Sequence, residues 1–254
     1  MLILLTNDDG IHAPGIVAMY RELVKLGEVH VIAPETVQSA TGHGITLDAP
    51  ILTSKVSIDG AFSGIAVDGR PADCVKVAVA HLLPRMPDLV VSGMNSGVNV
   101  GINVIYSGTV AAAIEAAFLG LPSIAVSMML SKDVQPPAYA HCAKLARATI
   151  EKILAVGLNK GQVVSVNLPP LKEGQMPAGT RVARQCVNPW TDTYEKRTNP
   201  RGRDYYWNSS VFTLVPSDQD TDTAGVRDGF ITITPLQFDM THYGMLREWE
   251  ARKW

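Results

Sequence analysis

The first 33 residues leave this chain little freedom in how it folds. Residues 2–6 are a short apolar run closed by Asn7-Asp8-Asp9-Gly10, the pattern of a strand buried on both faces and ended by a turn. Pro14 suits a first helical turn, Ile16, Met19, Leu23 and Leu26 recur on one face, and Gly27 suits a stop, so a helix is predicted over 14–26. Residues 29–33 form a second apolar run. Strand, helix and strand at this spacing make a βαβ unit, which requires a parallel sheet. The expected fold class is α/β.

The alternation continues downstream. Helices are predicted over 71–83, 109–119 and 139–154, and strands over 88–92, 122–128 and 163–167, with no internal repeat. After about residue 183 the chain turns polar and turn-rich, with strand-like pieces at 205–207, 211–215 and 230–234. In the terminal segment Met245, Leu246 and Trp249 share a helical face. The expected division is an α/β catalytic core over 1–182 and a C-terminal segment over 183–254. Its tail either folds back on its own domain or docks on a second subunit.

Composition removes several function classes. At 46% hydrophobic and 18% charged residues, the chain has material for a sizeable core. A net charge of −2 argues against a nucleic-acid polymer as partner, and the basic stretch Lys196-Arg197 through Arg201-Gly202-Arg203 reads as a solvated loop. Cys74, Cys142 and Cys186 are odd in number and widely spaced, which excludes a disulfide framework and a CxxC metal site. The opening apolar run lacks a basic n-region, and no apolar segment reaches transmembrane length. The expectation is a soluble cytoplasmic protein with no membrane partner.

In an open parallel sheet, ligands bind beyond the carboxyl ends of the strands. The loops there carry Asn7-Asp8-Asp9-Gly10, then Gln38-Ser39-Ala40-Thr41-Gly42-His43-Gly44, then Gly93-Met94-Asn95-Ser96-Gly97-Val98-Asn99-Val100-Gly101. Adjacent carboxylates repel, and a hard divalent cation relieves the repulsion. Asn-Asp-Asp-Gly also reads as a solvated turn; its place at the end of a buried strand favours a site. Tyr106-Ser107-Gly108-Thr109 opens the third helix. Ser or Thr there serves as an N-cap, while free N–H groups and the positive end of the helix dipole also suit a phosphate. There is no GxGxxG fingerprint and no GxxxxGK[ST] loop. Asp218-Gln219-Asp220-Thr221-Asp222 lacks the glycine and glutamate of an EF-hand, and adjacent rather than alternate aspartates do not indicate an aspartyl-phosphate enzyme. No histidine pair has metal-ligand spacing; His12 and His43 lie in candidate site loops.

Leu4-Leu5-Thr6-Asn7-Asp8-Asp9-Gly10, followed by Ala13-Pro14-Gly15, resembles the opening signature of the SurE (survival protein E) 5′-nucleotidases. Val91-Ser92-Gly93-Met94-Asn95-Ser96-Gly97-Val98-Asn99 and Tyr106-Ser107-Gly108-Thr109-Val110-Ala111-Ala112-Ala113 match its second and third motifs. Asp220-Thr221-Asp222-Thr223-Ala224 and Ile231-Thr232-Ile233-Thr234-Pro235-Leu236 are similar to its C-terminal pattern. The resemblance implies a Rossmann-like three-layer core, with a C-terminal β-hairpin and helix arm exchanged in a homodimer, in some cases a tetramer. It implies one divalent metal ion per subunit (Mg²⁺ or Mn²⁺, with Ca²⁺ a substitute in crystals) held by Asp8, Asp9, Ser39 and Asn95. Ser39 is a family assignment, since spacing does not single it out within its loop. The loop here is less basic and less serine-rich than the family pattern.

Asp8 and Asp9 would carry the catalytic role, with Asn95, Ser107, Gly108 and Thr109 on the phosphate. The implied reaction is metal-dependent hydrolysis of nucleoside 5′-monophosphates to nucleoside and phosphate. Base preference is expected to be loose, and 3′-nucleotides and polyphosphate are further candidate substrates. Two rival readings are a phosphatase for another small phosphate ester and a non-catalytic nucleotide sensor on the same fold.

Overall fold

The computed structural model describes residues 1–58, 60–188, 193–208 and 217–254. Its centre is a nine-stranded sheet built on β1 (Leu2–Thr6), with every residue of that strand buried. The strands are β2 (Glu28–Pro34), β3 (Leu52–Ile58), β4 (Phe62–Asp68), β5 (Leu89–Ser96), β6 (Ser123–Met128), β7 (Val163–Leu168), β8 (Gly179–Val182) and β11 (Phe230–Leu236). Their order is β3-β4-β2-β1-β5-β6-β7-β11-β8. From β4 to β7 every pairing is parallel, whereas β3 runs antiparallel to β4 and β11 antiparallel to β7.

Helices cover both faces, as the apolar strands require. On one face α1 (Pro14–Leu23) packs beside α5 (Tyr139–Val156), burying Ile16, Met19, Leu23 and Ile150 over Ile3, Leu5 and Val91. On the other, α2 (Pro71–Val77) packs beside α4 (Gly108–Phe118), with Cys74, Val75, Ala112 and Ala116 over Leu4, Ile32 and Val90. The result is the expected three-layer α/β fold. No described helix is long and apolar enough to cross a membrane.

Several boundaries differ from expectation for identifiable reasons. α1 ends at Leu23 rather than 26, because the chain must turn for Glu28 to donate its N–H to Met1 O at 2.9 Å. The helix predicted over 71–83 is α-helical only to Val77. It widens into a π turn over Ala78–Leu82, and Leu83 is extended ahead of Pro84, as a residue before proline tends to be. β5 runs on through Ser96, with a bulge between Gly93 and Asn95.

Residues 183–254, expected to form one C-terminal segment, divide in two. α6 (Asp222–Arg227) and β11 return to the core, where β11 is hydrogen-bonded between β7 and β8. β9 (Tyr194–Thr198) and β10 (Asp204–Asn208) instead pair as a separate two-stranded hairpin, and α7 (Tyr243–Glu250) buries none of its residues. The basic stretch read as a loop is thus this hairpin, with Lys196 paired to Asp204 and Arg197 to Glu195. The strand predicted over 211–215 lies outside the described residues.

Candidate active site

β1 and β5 are neighbours, but the chain leaves β1 toward β2 on one side and β5 toward β6 on the other. That divergence opens a crevice beyond their carboxyl ends, the usual ligand position of such sheets. Asp8 and Asp9 follow β1, Asn95 lies in the last residues of β5, Ser39 lies beyond β2, and Ser107 caps α4. All five line one cavity of about 250 Å³. Of the residues expected there, Gly108 and Thr109 do not line it.

The turn that presents the carboxylates is built locally. Asn7 donates its side-chain amide to Gly10 O at 2.8 Å, and Gly10 takes φ +92°, a left-handed conformation for which glycine has no steric penalty. Ile11 N–H donates to Pro34 O at 2.8 Å and Gln38 N–H to Asp8 O at 2.7 Å, which pins the β2 loop and its Ser39 against the aspartates. Gly42 N–H donates to Tyr106 O at 3.0 Å, joining the same loop to the start of α4.

Asp8, Asp9 and Asn95 are each held from behind. The Thr109 hydroxyl, fully buried, donates to Asp8 Oδ1 at 2.5 Å. Ser96 N–H donates to Asp9 Oδ2 at 2.8 Å, and Asn95 donates its amide nitrogen to Gly97 O at 2.6 Å, leaving Asn95 Oδ1 as an acceptor. Burial pushes the Asp8 carboxyl up to about 6; the Thr109 hydrogen bond opposes this and the charge of Asp9 adds to it. Neither aspartate has a cationic side-chain partner among the described residues. Two carboxylates, a carboxamide oxygen and a hydroxyl without a counter-charge are the donor set a hard divalent cation takes. No described cluster of three or more His, Cys, Asp or Glu exists to offer a softer alternative.

The start of α4 divides its work. Ser107 Oγ accepts from Val110 N–H at 3.1 Å as the N-cap, so its own proton remains available to a ligand. Gly108 packs so tightly on Asp8 that a Cβ there would lie 2.9 Å from the Asp8 Cβ. Thr109, expected on a phosphate, directs its side chain to Asp8 instead.

Two supports were not foreseen from sequence. Asp222, fully buried, accepts from Gly101 N–H and Cys186 N–H, both at 2.9 Å, and so ties the glycine-rich segment after β5 to the C-terminal part of the core. Asn99 and Asn167 exchange hydrogen bonds beneath the same segment, with Ser127 and Ser165 completing the network. In sequence Asp222 stood only within the run set aside as an EF-hand and within Asp220-Thr221-Asp222-Thr223-Ala224, similar to the family's C-terminal pattern, and neither gives it this role. Of the two open histidines, His12 is exposed and does not line the cavity, while His43 turns to Glu115 at 2.8 Å.

The family model for survival protein SurE matches residues 3–192. The chain is 43% identical over 249 residues to "5'-nucleotidase SurE" of Heliobacterium modesticaldum, covering 98% of this chain and 90% of the relative. It is 44% identical over 253 residues to the protein of that name in Carboxydothermus hydrogenoformans, covering 98% and 94%. The crystal structure of the SurE protein from Aquifex aeolicus superposes with a TM-score of 0.84 at 34% identity, covering 98% of each chain. With a matched region that contains Asp8, Asp9, Ser39, Asn95 and Ser107, the chain belongs to the SurE family.

Proposed function

We propose that this chain is a divalent-metal-dependent phosphatase of nucleoside 5′-monophosphates. The observation that carries the reading is the cavity in which Asp8 and Asp9, without cationic partners, meet Asn95, Ser39 and the cap of α4. The name shared by its SurE relatives, 5′-nucleotidase, supports the substrate class. Asp8, Asp9, Ser39 and Asn95 would hold one Mg²⁺ or Mn²⁺. A cation bound there supplies charge neutralisation at the phosphoryl group and acidifies water.

The chain's own groups do the rest. Ser107 donates its hydroxyl proton to a phosphate oxygen, and the N-terminus of α4 adds its positive dipole end. Gly108 lets Asp8 approach the helix start closely, and Thr109 fixes the Asp8 carboxylate in place. Asp8 or Asp9 accepts the proton of the attacking water. Among the described residues Asp8 and Asp9 are the only charged side chains lining the cavity, which supports a loose base preference, with 3′-nucleotides and polyphosphate as secondary substrates. Three buried free cysteines support residence in the reducing cytoplasm.

Phosphate release from AMP, with Mn²⁺ or with EDTA, tests the reading. Turnover is expected only with metal and is expected to vanish in Asp8→Asn and Asp9→Asn. Turnover in EDTA, or wild-type rates in either variant, would refute it. AMP binding without turnover would favour a sensor.

A further inference from the structure

The loop that brings Ser39 to the cavity has no ladder or helix to hold it, since residues 35–51 form neither. Next to Ser39, Ala40 takes φ +57°, a left-handed conformation that a residue with a Cβ seldom adopts. Such a conformation persists only where the surroundings over-determine it. The contacts that fix the loop are therefore part of how Ser39 is presented.

Two backbone ties flank it, Gln38 N–H to Asp8 O and Gly42 N–H to Tyr106 O. Two buried carboxylates then hold the loop from the helical layer that α2 and α4 form together. Asp73, in the first turn of α2, accepts from Thr46 N–H at 3.0 Å and from Thr46 Oγ1 at 2.7 Å. It also accepts from Arg70 N–H as part of its own helix cap. Glu115, two turns along α4 from Ser107, meets His43 Nε2 at 2.8 Å through one oxygen and Lys76 Nζ at 3.3 Å through the other. Among the described residues, the His43 contact is the side-chain tie to a helix that lies nearest Ser39 in the chain.

Stability does not account for Glu115. It is the one charged residue of the alanine-rich α4 and is only 5% exposed. A buried ion pair is often no more stabilising than an apolar replacement, and alanine is the best helix former. What the carboxylate adds is a fixed imidazole, which also stacks on Phe118 with planes 9° from parallel. Resting on the reading of Ser39 as a metal ligand, we propose that Glu115 is a positioning residue. Through His43 it holds the loop in the conformation that presents the Ser39 hydroxyl beside Asp8, Asp9 and Asn95.

The test measures Mn²⁺ affinity by titration calorimetry and, without metal, amide hydrogen exchange of residues 36–47. It compares wild type, Glu115→Ala, Glu115→Gln, Ser39→Ala and the variant carrying both Ser39→Ala and Glu115→Ala. Alanine suits the helix, and His43 and Lys76 are partly exposed and gain water, so Glu115→Ala is expected to fold. Its Mn²⁺ affinity should fall about tenfold, the scale of losing a group that orients a ligand. Its loop should exchange about tenfold faster. Glu115→Gln, whose carboxamide still pairs with the imidazole, should stay within about threefold of wild type in both. Ser39→Ala should lose at least as much affinity, and adding Glu115→Ala to it should cost nothing further, because both act through one contact. Additive losses, or unchanged affinity or loop exchange in Glu115→Ala, would overturn the positioning role. Faster loop exchange in Glu115→Ala, with a wild type that binds no Mn²⁺, would uphold the clamp on the loop and refute Ser39 as a metal ligand. The expected Mn²⁺ pattern without AMP hydrolysis would uphold the positioning role and refute the phosphatase.

Discussion

Thr109 makes the sharpest claim in the site, because its hydroxyl touches one group, Asp8, and is otherwise buried. Thr109→Val keeps the branched shape and removes only that donor. A hydrogen bond to a charged acceptor is worth about 1.5–3 kcal/mol. For a protein of this size each kcal/mol moves the melting temperature by about 2–4 °C, so the metal-free variant should melt roughly 3–12 °C lower. Activity should fall further in proportion. Removing the group that orients a metal ligand typically costs about 10–100-fold in activity or metal affinity.

Thr109→Ser supplies the control, since it keeps the hydroxyl and loses a buried methyl. Its cost is about 1 kcal/mol of packing, with activity near wild type. The two variants should therefore separate: Ser slightly less stable but active, Val less stable and impaired with Mn²⁺. Differential scanning calorimetry in EDTA and AMP hydrolysis in Mn²⁺ measure the two axes. Equal activity in Val and Ser variants would show that the Thr109 hydroxyl does not position Asp8.

Glu115 gives a pH prediction away from the proposed metal ligands. The His43 hydrogen bond, with Lys76 at 3.3 Å, holds the Glu115 carboxyl below its ordinary value of 4.5. A depressed carboxylate stabilises the fold above the unfolded value and loses that contribution as pH falls through the folded one. The melting deficit of Glu115→Gln at pH 7 should therefore narrow below pH 4.5, and a deficit constant through that range would refute the assignment. A third prediction concerns the C-terminal helix, which we propose exchanges between subunits. Met245, Leu246 and Trp249 stand exposed on α7, and Tyr205, Tyr206 and Trp207 on β10. Such apolar patches mark contact surfaces. Deleting residues 241–254 should lower the sedimentation mass from dimer to monomer, and an unchanged dimer would count against the exchange.

What could be read from sequence follows from how local each signal is. β1, α1 and β2 were legible because apolar runs and helical periodicity report burial directly. The β3–β4 hairpin was not: all of β3 except Val56 and Ile58 is exposed, and an edge strand with Ser54, Lys55 and Ser57 looks like a loop. The end of β5 escaped for a related reason. Gly93, Asn95 and Ser96 disfavour strands by propensity, but pairing to Val126, Ser127 and Met128 of β6 supplies the ladder regardless. That extension carries Asn95 to the cavity.

The division of labour at the start of α4 shows where motif reading runs out. Ser107, Gly108 and Thr109 form one string in sequence and invite one role, that of a phosphate cradle. A helix advances 3.6 residues per turn, so residues two apart point to different sides. Ser107 can face the cavity only if Thr109 faces elsewhere, and the space on that side is filled by Asp8, 101 residues earlier in the chain. The same rotation leaves the position between them pressed on the Asp8 Cβ, where glycine alone avoids a contact of 2.9 Å. Three consecutive residues thus act as helix cap, spacer and carboxylate support. Their order is dictated by helix geometry once the aspartate is placed, and a strand 100 residues away does the placing.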